Sequence, residues 1–132
     1  MIIAIDFDGT IVETSPQIVG NDCDLKIIRE VPNATLTVKS LKDEGHELIL
    51  WTCRAGRHLD EALQWLNESG ILDCFDKINE HSDTINNHPI WGEYNTRKIS
   101  ADIYIDDKNI GGFPGWLFVQ KVLNDDNPLT PR

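Results

Sequence analysis

Cysteine is scarce: three in 132 residues, at Cys23, Cys53 and Cys74, an odd number with no C-x-x-C pair. That excludes a disulfide framework and a zinc knuckle, and it fits reduced thiols in a cytoplasmic setting. Basic residues are also few, 12 against 22 acidic ones, for a formal net charge of -10. Such acidity disfavours a nucleic-acid track or an anionic membrane surface and leaves nucleic acid open only as a terminal phosphate. An anionic substrate would have to be met at one place by a metal ion and a few fixed cations. Long apolar runs are missing as well. Residues 1–5 are apolar but lack a basic start and are too few for a signal peptide or a membrane span. With no internal repeat or low-complexity tract, one cytoplasmic domain without membrane attachment is expected.

Three short apolar runs, residues 2–5, 48–51 and 103–105, are followed by polar residues instead of alternating with them. Parallel strands covered on both faces read this way. Residues 75–78 supply a shorter fourth candidate. Between the first two runs, Pro32 suits the first turn of a helix with Ala34, Val38 and Leu41 on one face and Gly45 at its end. Leu59, Leu63 and Leu66 mark a second helix that Gly70 stops, and residues 116–123 a third. The order strand, helix, strand, helix, strand, strand, helix predicts an α/β fold with a doubly wound parallel sheet, its ligands beyond the carboxyl ends of the strands. Residues 11–31 are enough for a short flap but not for a cap domain. Residues 1–123 form the expected domain, and 124–132, polar with Pro128 and Pro131, a flexible tail.

Chemistry concentrates where these runs end. Asp6-Phe7-Asp8-Gly9-Thr10 directly follows the first. Two carboxylates on alternate residues can divide labour, one attacking phosphorus and the other moving protons, while Gly9 lets the backbone turn beside them. A calcium loop starting at Asp6 would need glycine and glutamate where Ile11 and Gln17 stand, and a plain turn does not need both acids. Thr52 and Arg54 follow the second run; a hydroxyl and a planar guanidinium can hold phosphoryl oxygens, although such residues also simply open loops. Asp106 and Asp107 follow the third run. Adjacent acids at a strand end repel, and a divalent cation relieves this; a solvated turn is the plainer account. Lys98, one lysine among several, could hold Asp6 ionised and neutralise phosphate, with Arg97 and Lys108 as rivals.

Taken in order, Asp6-Phe7-Asp8-Gly9-Thr10, Thr52, Lys98 and Asp106-Asp107 resemble the four motifs of the haloacid dehalogenase-like (HAD) phosphatase superfamily. More narrowly, Trp51-Thr52-x-Arg54 and Ile105-Asp106-Asp107-Lys108-Asn109-x-Gly111-Gly112 look like the second and fourth motifs of small capless bacterial members. The resemblance implies a Rossmann-like HAD core without a cap and a magnesium-dependent phosphomonoesterase working through an aspartyl-phosphate. Asp6 would be the nucleophile and Asp8 the acid and base. Thr52, Arg54 and the backbone at Gly9 and Thr10 would hold the phosphoryl group, with Lys98 fixing charge. Magnesium would be held by Asp6, the Asp8 carbonyl, and Asp106 or Asp107. An acid at position 8 favours phosphate chemistry over dehalogenation.

A site without a cap implies a bulky phosphorylated substrate, such as a phosphoprotein or a polynucleotide end, or closure by a second subunit in a homo-oligomer. Trp91 and Trp116 are candidates for that contact unless the core buries them. A reading from a different class is a non-catalytic binding or assembly module that keeps the fold and the metal site.

Overall fold

The structure, a computed structural model, describes residues 1–123; the tail expected at 124–132 lies outside the described residues. Strand β1 (Ile2–Ile5) has no polar side chain and is buried along its whole length, which suits a strand inside a parallel sheet. It pairs in parallel with β4 (Glu47–Leu50) on one side and β6 (Ile103–Ile105) on the other, and β5 (Lys77–Ile78) extends the sheet beyond β4. The order is therefore β5-β4-β1-β6. The second strand begins and ends one residue earlier than the apolar run 48–51, and the fourth shrinks to two residues.

Strand parity separates two cores. Ile3 and Ile5 of β1 and Leu48 and Leu50 of β4 face the helices α1 (Ala34–Asp43), α2 (Gly56–Glu68) and α4 (Trp116–Val122), where Val38, Leu66 and Trp116 pack. Ile2 and Ile49 face the other way and meet Ile99, with Trp51 and Ile85 beside them. The α/β expectation holds, but the layers are unequal. Three helices cover one face, while residues 79–102, with only the single-turn α3 (Asp83–Asn86) and a 3₁₀ turn (Trp91–Glu93), cover the other. That connection is mostly polar, and it has no apolar stripe long enough to commit several helical turns to the sheet. Pro32 also stands outside α1, ahead of the cap residue Asn33, rather than in the first turn.

Residues 11–31 contain an antiparallel hairpin of β2 (Val12–Val19) and β3 (Asp22–Glu30). Its turn is Gly20-Asn21, with Gly20 at φ 64. A Gly-Asn pair between two β-prone segments is a hairpin signal that the sequence carries in plain view. None of the described helices is long and apolar enough to cross a membrane.

From β1 the chain steps to β4 and β5, then returns past β1 to β6. The direction of winding thus reverses between β1 and β6, and a crevice opens there at the carboxyl ends of the strands.

Candidate active site

The parallel ladder continues one residue past each strand. Asp6 N–H donates to the Ile105 carbonyl, Trp51 N–H to Ile5, and Asn79 N–H to Leu50. Extending the register places Asp6 between Asp106 and Trp51, all three pointing to the same side as Ala4 and Ile49. Asp6, Asp106 and Asp107 each offer a carboxylate oxygen within 4.8 Å of the others, at the reversal point of the sheet.

Three carboxylates this close cannot all be ionised without compensation. Burial, then the charge of Asp106 and a hydrogen bond and charge from Asp107, push the Asp6 carboxyl up to about 8, against a smaller downward pull from the Phe7 N–H. Asp107 Oδ1 is buried and has no hydrogen-bond donor. A proton shared with Asp6 or a hard cation satisfies that oxygen. The donor set, oxygen only and clustered on two adjacent strand ends, fits a hard divalent cation.

Gly9 lies under this cluster at φ 81, and a Cβ there would stand 2.2 Å from Asp107 Oδ2. Both the turn and the close approach therefore require glycine. Gly9→Ala is expected to lose about 2 kcal/mol of stability in urea titrations and to weaken any magnesium-induced rise in Tm, because Asp107 must move aside. Thr10 is fully buried, and the backbone N–H groups of Gly9 and Thr10, which the resemblance assigns to the phosphoryl group, donate to the Val12 and Phe7 carbonyls at 2.8 and 3.3 Å. The Thr10 hydroxyl donates to Asp6 Oδ2 at 3.2 Å, and its carbonyl accepts the indole N–H of Trp116 at 2.8 Å. Trp116, 1% exposed, is a core residue and no subunit contact, whereas Trp91 is 56% exposed.

Asp8 belongs to a separate knot. Arg54, expected to clamp phosphate, instead directs its fork at Asp8: Nε to Oδ2 at 2.9 Å and Nη2 to Oδ1 at 2.8 Å. Its remaining donors reach the His58 carbonyl at 3.0 Å and the Leu25 carbonyl of β3 at 3.2 Å, and its guanidinium lies over the Phe7 ring. The hydroxyl of Thr14, on β2, donates to Asp8 Oδ1 at 2.6 Å. Buried beneath the hairpin, Arg54 is the bolt between flap, α2 and Asp8. Nothing in the sequence marks Thr14 as its accomplice.

Thr52 sits at the end of β4 as anticipated, its Oγ1 accepting the Arg54 N–H at 3.1 Å, which leaves its own proton free to donate. Its backbone N–H is capped by Asn79 Oδ1 at 2.8 Å, with Asn79 itself at φ 55. Asn79→Ala loses the cap and strains a left-handed residue; a drop of about 2 kcal/mol in chemical denaturation is expected, and Asn79→Gly should recover the strain portion only.

The structure does not pair Lys98 with the acids. It lies on their side of the sheet with Nζ 5.5 Å from the Tyr104 ring centroid, and makes no ion pair among the described residues. Lys108 comes closest, 4.0 Å from Asp107 Oδ2, but is 87% exposed. Arg97 faces a different cavity beside Trp51 and Asn79. Beneath the hairpin, Asp8, Gly9, Thr14, Leu25, Asp107 and Lys108 line a cavity of about 550 Å³. A second trio, Asp24, His58 and Glu61, is already served by Arg57, 3.9 and 3.8 Å from the two acids.

Fold and site together define an α/β protein with a parallel four-stranded sheet and an acidic cluster at its winding reversal. The chain is 37% identical to a protein of Bacteroides thetaiotaomicron, described as a conserved protein coded by a locus of that organism. The two structures superpose with a TM-score of 0.73 over 96% of this chain and 92% of the other. The chain belongs to the same family as that protein. No family model and no curated protein matches it.

Proposed function

We propose that this protein is a capless phosphatase of the HAD type, a magnesium-dependent phosphomonoesterase acting through an aspartyl-phosphate on Asp6. The observation that carries this reading is the meeting of Asp6, Asp106 and Asp107 at the reversal of a parallel sheet, with a buried, donorless oxygen on Asp107. Magnesium would be held by Asp6, the Asp8 carbonyl and one or both of Asp106 and Asp107, and when bound it supplies charge that lets an anionic carboxylate approach an anionic phosphate.

The chain's own groups account for the remaining tasks. An Asp6 oxygen forms the bond to phosphorus as the ester oxygen leaves with a proton from Asp8; water then attacks the phosphorus, giving a proton back to Asp8, as the Asp6–phosphorus bond breaks to free phosphate and the Asp6 carboxylate. The Thr52 hydroxyl donates to a phosphoryl oxygen, and Thr10 keeps Asp6 in one rotamer through its hydrogen bond. In the arrangement seen, both Asp8 oxygens accept from Arg54 and one also from Thr14. Proton transfer by Asp8 therefore requires this knot to loosen, which the hairpin's attachment to Arg54 couples to flap movement.

Hydrolysis of an aryl phosphate with and without magnesium, by the unmodified protein and by Asp6→Asn, tests the reading. Magnesium-dependent turnover that disappears with Asp6 supports it; absence of turnover on aryl phosphates and on a panel of phosphorylated metabolites, peptides and oligonucleotide ends sinks it. The tight capture of Asp8 favours a second reading, a metal-binding module without turnover, and that reading takes over if magnesium binds but nothing is hydrolysed.

A further inference from the structure

On the sheet face that carries Asp6, a cavity of about 570 Å³ opens toward β4 and β5, and none of the chemistry described above uses it. Trp51 forms part of its wall. The register makes Trp51 the cross-strand neighbour of Asp6, about 5 Å away between backbones. Asn79, at the end of β5, is one strand further, roughly 10 Å from Asp6. The acids do not line the cavity, but Trp51 is one strand from Asp6, a separation that one phosphorylated sugar ring can span.

Its other polar groups are Glu80, His81, Asn86, Asn95, Thr96 and Arg97; His81 and Thr96 are engaged with Ser100, Lys98 and each other, and the other four are largely unspent. Asn79 commits Oδ1 to Thr52 and keeps its amide NH₂; Asn86 commits its NH₂ to the His81 carbonyl and keeps Oδ1. The side chains of Glu80, Asn95 and Arg97 make no hydrogen bond or ion pair among the described residues. Planar donors and acceptors grouped around one aromatic face match a polyhydroxylated ring: amide and carboxylate groups pair with hydroxyls, and the C–H side of the ring lies on the indole. The wall is mostly polar, unlike the apolar surfaces that enclose a planar base. Arg97 is the one lysine or arginine in the wall, on a protein of net charge -10, and it is exposed for pairing with an anion.

We propose that this cavity binds the sugar portion of a phosphorylated monosaccharide, the ring on Trp51 and a second acidic group at Arg97, with the phosphate at the Asp6 cluster. This deepens the phosphatase reading and rests on it for where the phosphate sits. The test is calorimetric titration of the Asp6→Asn protein, with magnesium present, by glucose 6-phosphate, glucose 1,6-bisphosphate, adenosine 5′-monophosphate and inorganic phosphate. Glucose 6-phosphate should bind at least about tenfold more tightly than inorganic phosphate, and the bisphosphate more tightly still. Adding Arg97→Ala should erase the advantage of the bisphosphate, and adding Asn95→Ala should narrow that of glucose 6-phosphate; both side chains are exposed, so folding is not at stake. Sugar phosphates that bind no better than inorganic phosphate, or adenosine monophosphate binding best, overturn the proposal. The order of affinities is read without turnover, so its failure is distinguishable from a failure of the wild-type protein to hydrolyse aryl phosphates.

Discussion

Asp6→Asn is expected to remove at least about 10³-fold of the proposed phosphatase turnover while making the metal-free protein more stable at alkaline pH. The two effects have one cause. Burial and the charges of Asp106 and Asp107 push the Asp6 carboxyl from 3.8 up to about 8. Between these values the folded chain holds a proton that the unfolded chain has released, so the contribution of Asp6 to stability is full below about pH 4 and is lost as pH rises toward 8. Asparagine carries no charge to suppress and escapes this loss. In chelator near pH 8, the variant should exceed the unmodified protein by about 1–2 kcal/mol, a figure kept below the full shift because water screens part of the interaction. Near pH 4 the difference should close. Magnesium should reverse the ranking, since the intact cluster gains more binding energy than the variant, which keeps Asp106, Asp107 and a neutral amide oxygen. Urea titrations across pH, with chelator and with magnesium, read all of this; a variant less stable than the parent at pH 8 without metal would falsify the account of Asp6.

Arg54→Ala carries the largest expected loss of stability, about 3–5 kcal/mol. Its side chain is 1% exposed and ties four partners: Asp8, the His58 and Leu25 carbonyls, and the Phe7 ring. Removal strands the Asp8 carboxylate and two carbonyls and frees β3 from α2. Lysine keeps the charge but has no planar fork, so Arg54→Lys should recover less than half of the loss. Arg57→Ala, which breaks only exposed pairs at 3.8 and 3.9 Å, should cost less than about 1 kcal/mol. Limited proteolysis offers an independent view: cleavage within residues 12–30 should accelerate in Arg54→Ala and stay near the parental rate in Arg57→Ala. Equal acceleration in both would show that the hairpin is held by something other than the Arg54 knot.

The Arg54 knot also shows why the site was only partly legible beforehand. The motif at Asp6 to Thr10 and the acidic pair at Asp106 and Asp107 announce themselves because each directly follows an apolar run, and parallel pairing brings such ends together. Arg54 lies in the expected place, yet its partner is Asp8 rather than an outside ligand, because the hairpin covers it and leaves Asp8 as the anion in reach. The Gly9 and Thr10 N–H groups, which the resemblance assigns to the phosphoryl group, donate to the Val12 and Phe7 carbonyls, while the Thr10 hydroxyl and carbonyl brace Asp6 and Trp116. Thr14 and Asn79 carry no signal at all; each acts on a residue 6 or 27 positions away that only folding makes a neighbour.

What the amino-acid order determined by itself is the set of buried strands, the helices between them and the polar residues at the strand ends, because local periodicity and turn chemistry suffice for these. The tertiary structure alone decided which ends meet. Strand order 5-4-1-6 puts Asp6 between Asp106 and Trp51, and the folded-back hairpin assigns Arg54 and Thr14 to Asp8. Those pairings are long-range, set by sheet order and by the burial of charge, and neither quantity is written into any short stretch of the chain.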